Sequence, residues 1–459
     1  MLVILSDLHI SDESTDRNVS PEAFTIFADT VINNSRLTKK KTDVTEIHIV
    51  LLGDIVDLVR TDYWLRTGVP LADRPWGEGD WNNLNPDTAM INDANKIEKQ
   101  FNNILSNIKL TSCAKGLAKE LQRIESAANK ASIPFRVTYV IGNHDRVLWN
   151  FPKFRNDLAK FLLSNVKNIS FATGILEQSY GVLARHGHEF TTECYSLDLY
   201  NEVLNKSKPN VPRFDPRLDQ MMAIGEVITA ELMSGFIWRL KDKIEEGERI
   251  KLMEVHTVRP FASAFLWIDW FMTNRANDGF KTKIIEALIG AIDDVLDSAL
   301  AKAWDETVTD FIKGDITHYL GIIRGILSNT SLKWYDVMKK IVPILDSLGV
   351  FSEDDETFLE AAKSDFIFNS NSGINYVVYG HTHHALHHYI EGNVNGMHKT
   401  YINTGTYLPF TQKAEVNGFV SNHQMILLTF YSAAEDSDAK VRNTTSMDLW
   451  NGIKHKQYV

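Results

Sequence analysis

Five short apolar runs in this chain each end on residues able to hold a cation or move a proton. MLVILS leads to Asp7 and His9, IHIVLLG to Asp54 and Asp57, and RVTYVIG to Asn143, His144 and Asp145. GVLAR leads to His186 and His188, and YVVYG to His381 and His383. In an extended strand, residues two apart point to the same side, so the D-x-H and H-T-H spacings predict pairs aimed at one point beyond a strand end. Any one of these pieces is common by chance; five strand ends that deliver almost nothing but carboxylates, imidazoles and a carboxamide are not. Mixed nitrogen and oxygen donors suit Mn²⁺, Fe²⁺ or Zn²⁺, whereas all-oxygen shells suit Mg²⁺ and Ca²⁺. Seven candidate ligands (Asp7, His9, Asp54, Asn143, His186, His381, His383) are too many for one ion and suit two that share a carboxylate. Asp54, in the middle of the set, is the expected bridge. Two-ion sites activate a water between the ions and clamp the oxygens of a phosphoryl displacement. Two divalent ions outweigh Asp7 and Asp54 in charge, so such a site attracts phosphate esters.

The elements that must position these groups are legible too. The five runs have the length and composition of buried strands. Helical patterns lie between the first three, around PEAFTIFADTVINNS and from NKIEKQFNNILSNI onward, which makes a βαβαβ rhythm and a largely parallel sheet with right-handed crossovers. That sheet presents the strand ends along one edge, where open α/β sheets place their ligands. KTYINTGTYLPF and HQMILLTFYSA read as further strands, with Gly405 at the turn. From about Tyr195 to Asp365 the pattern changes to helical periodicity. Asp215 and Pro216 look like an N-cap and first helical residue there, with Leu218, Met221, Met222, Ile228, Leu232 and Phe236 following at helical spacing.

In this order, D-x-H, G-D-x-x-D, G-N-H-D, H-G-H and G-H-T-H resemble the calcineurin-like metallophosphoesterase superfamily. The resemblance spans Asp7 to His383 and is specific as a joint pattern. It implies a four-layer α/β/β/α sandwich, two mixed β-sheets flanked by helices, with residues 1–194 and 366–459 as the catalytic domain. Residues 195–365 would be a large helical insertion, a candidate cap over the site. It implies two divalent transition-metal ions, Mn²⁺ foremost with Fe or Zn as alternatives. Asp7, His9, Asp54 and His383 would hold one, and Asp54, Asn143, His186 and His381 the other. His144 would contact the phosphate and protonate the leaving group as a hydroxide between the metals attacks phosphorus. The residues favour His144 independently, because it adjoins a ligand and imidazole titrates near neutral pH. Asp145 and Asp57 are its candidate orienting partners, and a space-filling role beside the metals is the plainer alternative. His188 suits a place behind the ligands. GDIVDLV and GNHD depart from the GDxVDRG and GNHE of the Ser/Thr protein phosphatases. Asp57 stands where purple acid phosphatases carry Tyr, and His144 where UDP-diacylglucosamine hydrolases carry Arg. Class III cyclic nucleotide phosphodiesterases and a group of repair nucleases use GNHD.

Composition bounds the function. Among 459 residues, 48 Lys and Arg against 59 Asp and Glu give a net charge of −11. That acidic balance lacks the footprint of a duplex-DNA binder, so nucleic acid is not the favoured partner. Cys113 and Cys194 alone cannot make a disulfide framework, no signal-type segment precedes the first motif, and a cytoplasmic protein is the expectation. FASAFLWIDWFM is too short to span a membrane and reads as a core helix, with a lipid-contacting or dimer surface as the alternative. After Asp57, Trp64, Arg66, Arg74, Trp76 and Trp81 crowd a loop at the site edge. They are candidate contacts to an ester's flat or apolar group, or else anchors of the loop. The expected activity is phosphoric ester hydrolysis, with phosphodiesters ahead of monoesters. Sugar-nucleotide or lipid pyrophosphate hydrolysis and nuclease activity are the alternatives within the superfamily, and a scaffold that binds partners through the insertion is the non-enzymatic one.

Overall fold

The computed structural model describes the chain apart from residues 37–42, 78–93, 206–207, 261–262, 276–277, 306–315, 330–333, 348–354, 395–396, 437–444 and 458–459. Its strands are β1 (Leu2–Leu5), β2 (Ile47–Leu52), β3 (Phe135–Val140), β4 (Ile169–Ala172), β5 (Gly174–Glu177) and β6 (Val182–Arg185). They continue as β7 (Tyr376–Tyr379), β8 (Ala385–Val394), β9 (Met397–Thr404), β10 (Pro409–Lys413), β11 (Phe419–Tyr431) and β12 (Ser446–Gln457). One sheet runs β10-β11-β1-β2-β3-β4, with β12 paired on β11; the other runs β5-β6-β7-β9-β8. β1 to β4 are mutually parallel, as are β6, β7 and β9, and antiparallel strands complete both sheets.

Two-residue alternation inside the apolar runs explains the layering. In β1, Met1, Val3 and Leu5 turn toward helices Glu22–Asn34 and Ser112–Lys130, where they meet Phe24, Phe27, Val31, Leu117 and Leu121. Leu2 and Ile4 turn the other way and pack, with Val50, Leu52 and Val140, against Val182, Ala184, Tyr376, Val378 and Ile402 of the second sheet. A strand buried on both faces has to be apolar throughout, which is how these runs read. The outer face of the second sheet, Leu183, Val377, Tyr379 and Tyr401, is covered by Phe358, Ala362 and Phe366 of helix Asp355–Phe368. The result is an α/β sandwich of two mixed sheets flanked by helices.

Helices Ser263–Arg275, Asp278–Asp297 and Ile316–Leu327 occupy much of the helical stretch, and their apolar faces join the core that backs the first sheet. Trp267, Ile268, Phe271 and Met272 are buried, so the described part of FASAFLWIDWFM is a core helix. Asp215 does not cap a helix: it accepts from the backbone and Nε of Arg217, and helix Ile224–Val227 starts later, with Glu226 bonding back to the Ala223 N–H. That helix runs through a π-helical turn, Ile228–Ser234, into Gly235–Arg239. The segment Leu218–Arg239 is, among the described residues, long and apolar enough to cross a membrane, but 83% of its 18-residue apolar window is buried within the protein.

The aromatic and cationic loop after Asp57 is an anchor. Trp64 is fully buried against Trp76 and Phe101 and donates to the Leu58 carbonyl. Glu231 accepts from Arg74 Nη1 at 2.5 Å and from Trp76 Nε1 at 2.6 Å, while Arg66 pairs with Asp62 at the surface. Trp81 lies outside the described residues. Glu231→Ala strands a buried guanidinium and an indole N–H, and should cost about 3 kcal/mol. A lowered urea midpoint is the expected result.

Candidate metal centre

The strands stop short of the chemistry. β1 ends at Leu5 and β7 at Tyr379, so Asp7, His9, His381 and His383 sit in loops rather than alternating on a strand. Asp7, His9, Asp54, His381 and His383 all take left-handed backbone, with φ of 51°, 43°, 51°, 72° and 61°. Non-glycine residues pay roughly 1–3 kcal/mol each for such conformations, which persist only where the surroundings impose them. Here the imposing contacts lie in the loops themselves. The N–H of Asp7 donates to Gly53 O (3.1 Å), that of His9 to Asp54 O (2.8 Å), and that of His381 to the Asp7 carboxylate (3.1 Å). Two glycines make room. A Cβ on Gly142 would lie 2.2 Å from Asp54 Oδ1, and Gly53, at φ 83°, leaves space where a Cβ would meet His186 Nδ1 at 2.3 Å.

All seven candidate ligands are buried and converge. Among the described residues three groups could each hold a metal ion: His9, Asp57 and His144, in which both ring Nδ1 atoms bond Asp57, and the two sets of candidate ligands, Asp7, His9 and His383, and Asp54, His186 and His381. Asp54 Oδ2 stands between them, 3.6 Å from His9 Nε2 and 3.3 Å from His186 Nε2. Hydrogen bonds fix where the lone pairs point. His186 Nδ1 donates to the Leu52 carbonyl, so in the neutral ring Nε2 is a bare lone pair, yet it faces Asn143 Oδ1 and Asp54 Oδ2, both at 3.3 Å. Three acceptors turned on one another need a positive charge among them. Without a cation the ring meets that need by protonation: burial opposes it, but Asp54 and Asp7 prevail and raise His186 to about 10. His9 Nδ1 likewise donates to Asp57 Oδ2 (2.9 Å), which turns the Nε2 lone pair toward His383 Nε2 at 2.9 Å. His383 Nδ1 accepts from Arg259 Nη2 (3.0 Å), so its proton sits on Nε2, and a cation between these rings takes that proton's place. The donors thus fit a divalent ion of mixed nitrogen and oxygen preference.

Asp57 is the hub behind the site. Its Oδ2 accepts from His9 Nδ1 and His144 Nδ1 (2.8 Å) and lies 3.1 Å from Arg60 Nε, while Oδ1 takes the N–H groups of Val59 and Arg60. Burial opposes its ionisation, but the His144 and Arg60 charges hold it well below the usual carboxylate range. Asp145 does not orient His144. It bonds Gly142 N, Ile55 N and Tyr139 Oη, tying the two ligand loops together, and burial pushes it up to about 7. For His144 itself, burial is outweighed by Asp57 and Asp54, which raise its pKa. His188 packs behind the centre with its ring 5.4 Å from that of His186 and contributes no ligand contact.

A cavity of about 310 Å³ opens on this edge. Asp54, Asn143, His144, His381 and His383 form its floor, and Arg60 and Arg259 add a basic flank, beside a His256 that burial pushes down to about 4 and so keeps neutral. Trp64, Arg66, Arg74 and His188 do not line it. Residues the sequence reading missed do: Arg259, Thr191, whose Oγ1 bonds His381 Nε2 at 3.1 Å, and an apolar wall that includes Phe190 and Phe358. Arg259 precedes Pro260 and its N–H bonds Thr411 O, but no local motif marks it. No protein-family model matches the chain, and no curated protein does.

Proposed function

We propose that the chain is a metal-dependent phosphoric ester hydrolase of the calcineurin-like kind, acting on phosphodiesters ahead of monoesters. The observation that carries this reading is Asp54, one carboxylate standing between two sets of inward-facing lone pairs on the floor of a basic-flanked cavity. In this reading Asp7, His9, Asp54 and His383 hold one divalent cation and Asp54, Asn143, His186 and His381 a second, with Mn²⁺ favoured over Fe or Zn. Such a pair, when bound, polarises phosphoryl oxygens and makes water acidic enough to attack near neutral pH.

The chain's own groups do the remaining work. Arg60 and Arg259 set two guanidiniums beside the floor, which draws an anionic ester in and disfavours its release. Asp57 accepts the Nδ1 proton of His144 and so reserves Nε2 for the substrate. His144 enters the reaction protonated, gives its Nε2 proton to the departing ester oxygen, and is left neutral with Nδ1–H still bonded to Asp57. The His144 and Arg60 charges beside Asp57 outweigh its burial and keep that acceptor ionised. Residues from the helical stretch, among them Ile228, Met233 and Phe358, roof the floor and act as its cap.

The test is turnover of bis-p-nitrophenyl phosphate and p-nitrophenyl phosphate by the purified chain. We expect activity that EDTA removes and Mn²⁺ restores, with the diester hydrolysed faster. No metal-dependent turnover of either ester overturns the proposal.

A further inference from the structure

The cavity has two chemically distinct halves, and hydrolysis uses only one. Beside the polar floor stand Phe190, Phe358, Ile228 and Met233. The wall begins one ring away from a candidate ligand: the Phe358 and His381 centroids are 6.1 Å apart, and Phe190 stands edge-on to Phe358 at 6.2 Å. Phe358 is held from behind by Ala362 and Tyr379, and Phe190 by Tyr379 at 5.3 Å, so both rings are fixed in place by the second sheet. Ile228 and Met233 come from the π-helical turn Ile228–Ser234. Such turns interrupt helices mostly at functional sites, and this one gives the cavity side chains that a regular helix would rotate away.

We infer that the enzyme selects phosphodiesters whose retained ester group is a compact, flat aromatic ring, seated against the wall that Phe190 and Phe358 form together while the phosphate lies on the floor of candidate ligands. The inference rests on the phosphoesterase reading and narrows its substrate class. Water against Phe190, Phe358, Ile228 and Met233 finds few hydrogen-bond partners, so an apolar group that displaces it gains affinity. The two phenylalanines pack edge-to-face on one another and so present a continuous aromatic wall, against which an incoming ring can make the offset or edge-on contacts that aromatic pairs prefer. A cavity of about 310 Å³ lies at the lower limit of small-molecule sites, which favours a single ring system over a polymer or a long acyl chain.

Three diesters with the same leaving group test this: phenyl, methyl and n-hexyl p-nitrophenyl phosphate, each assayed with Mn²⁺. The expected result is kcat/KM for the phenyl ester at least about 10-fold above that for the methyl ester, with the hexyl ester no better than methyl. In Phe358→Ala the phenyl-to-methyl ratio should fall toward one. Phe190→Ala, at a half-buried position whose loss the fold tolerates more easily, should lower it as well. A purely structural defect would slow both esters alike and leave the ratio where it was. Equal rates for phenyl and methyl esters in the wild-type chain overturn this inference while leaving the phosphoesterase reading intact. So does a hexyl ester that outruns the phenyl one, or a ratio that survives both substitutions. Failure to hydrolyse any of the three overturns the underlying reading instead.

Discussion

Asp54→Asn should empty the site and lower kcat/KM for a phosphodiester by about 10³-fold, or ~4 kcal/mol of transition-state stabilisation. The size follows from which atom the substitution changes. The backbone N–H of His144 donates to Asp54 Oδ1 at 2.9 Å, so an asparagine there must keep its oxygen on that side. Its amide nitrogen then replaces Oδ2, the atom that faces both His9 Nε2 and His186 Nε2. Two hydrogens would point into the lone pairs that should meet a cation, and the shared negative charge is gone. Metal analysis by mass spectrometry, with near-UV circular dichroism as the control for folding, checks the outcome. A variant that keeps the wild-type metal content and rate would show that this carboxylate bridges nothing.

His144→Ala should lose activity in a pattern set by the leaving group. A general acid contributes most where the departing oxygen is basic, so an ester that expels phenol should slow on the order of 10²-fold or more. One that expels p-nitrophenol, a far weaker base, should slow much less. An equal loss on both would mean that His144 binds the phosphate and transfers no proton. The pH profile gives a second handle. Asp57 and Asp54 raise the pKa of this ring against the effect of burial. The acid form is the active one, so the rate should fall as pH rises through that elevated value, and the alkaline limb should vanish in the variant.

How far these groups could be found without coordinates depends on how local their cause is. The candidate ligands are legible because each closes an apolar run, and the sheet brings those run ends together whatever happens between them. The two sheets and their helical covers follow from the same runs. What local pattern could not show is how the ligands converge. Asp7 and His9 meet through left-handed loop backbone laced to the Gly53 and Asp54 carbonyls, not through strand alternation. Arg74 beside tryptophans suits an anchor slightly better than a phosphate ester by residue type, and Glu231, far along the chain, decides for the anchor. Asp57 and Asp145 were indistinguishable as partners for His144 until loop geometry aimed the first at the ring and the second at Tyr139. Arg259, Phe190 and Phe358 carry no motif, since a cavity wall is made of ordinary residues whose role is assigned by what they face.

The pairing of β6 with β7 has a consequence for how the protein matures. Val182 lies in register with Tyr376, and everything from His186 to the helix Asp355–Phe368 is threaded between these adjacent strands. On the ribosome, five of the seven inward-facing donors therefore emerge long before the last two, on the order of ten seconds at ordinary elongation rates. A nascent chain in that interval offers an unfinished chelate with no second sheet to enclose it. The candidate ligand set closes only after the whole helical stretch has been made, so β7 has to find β6 across that stretch before the site exists.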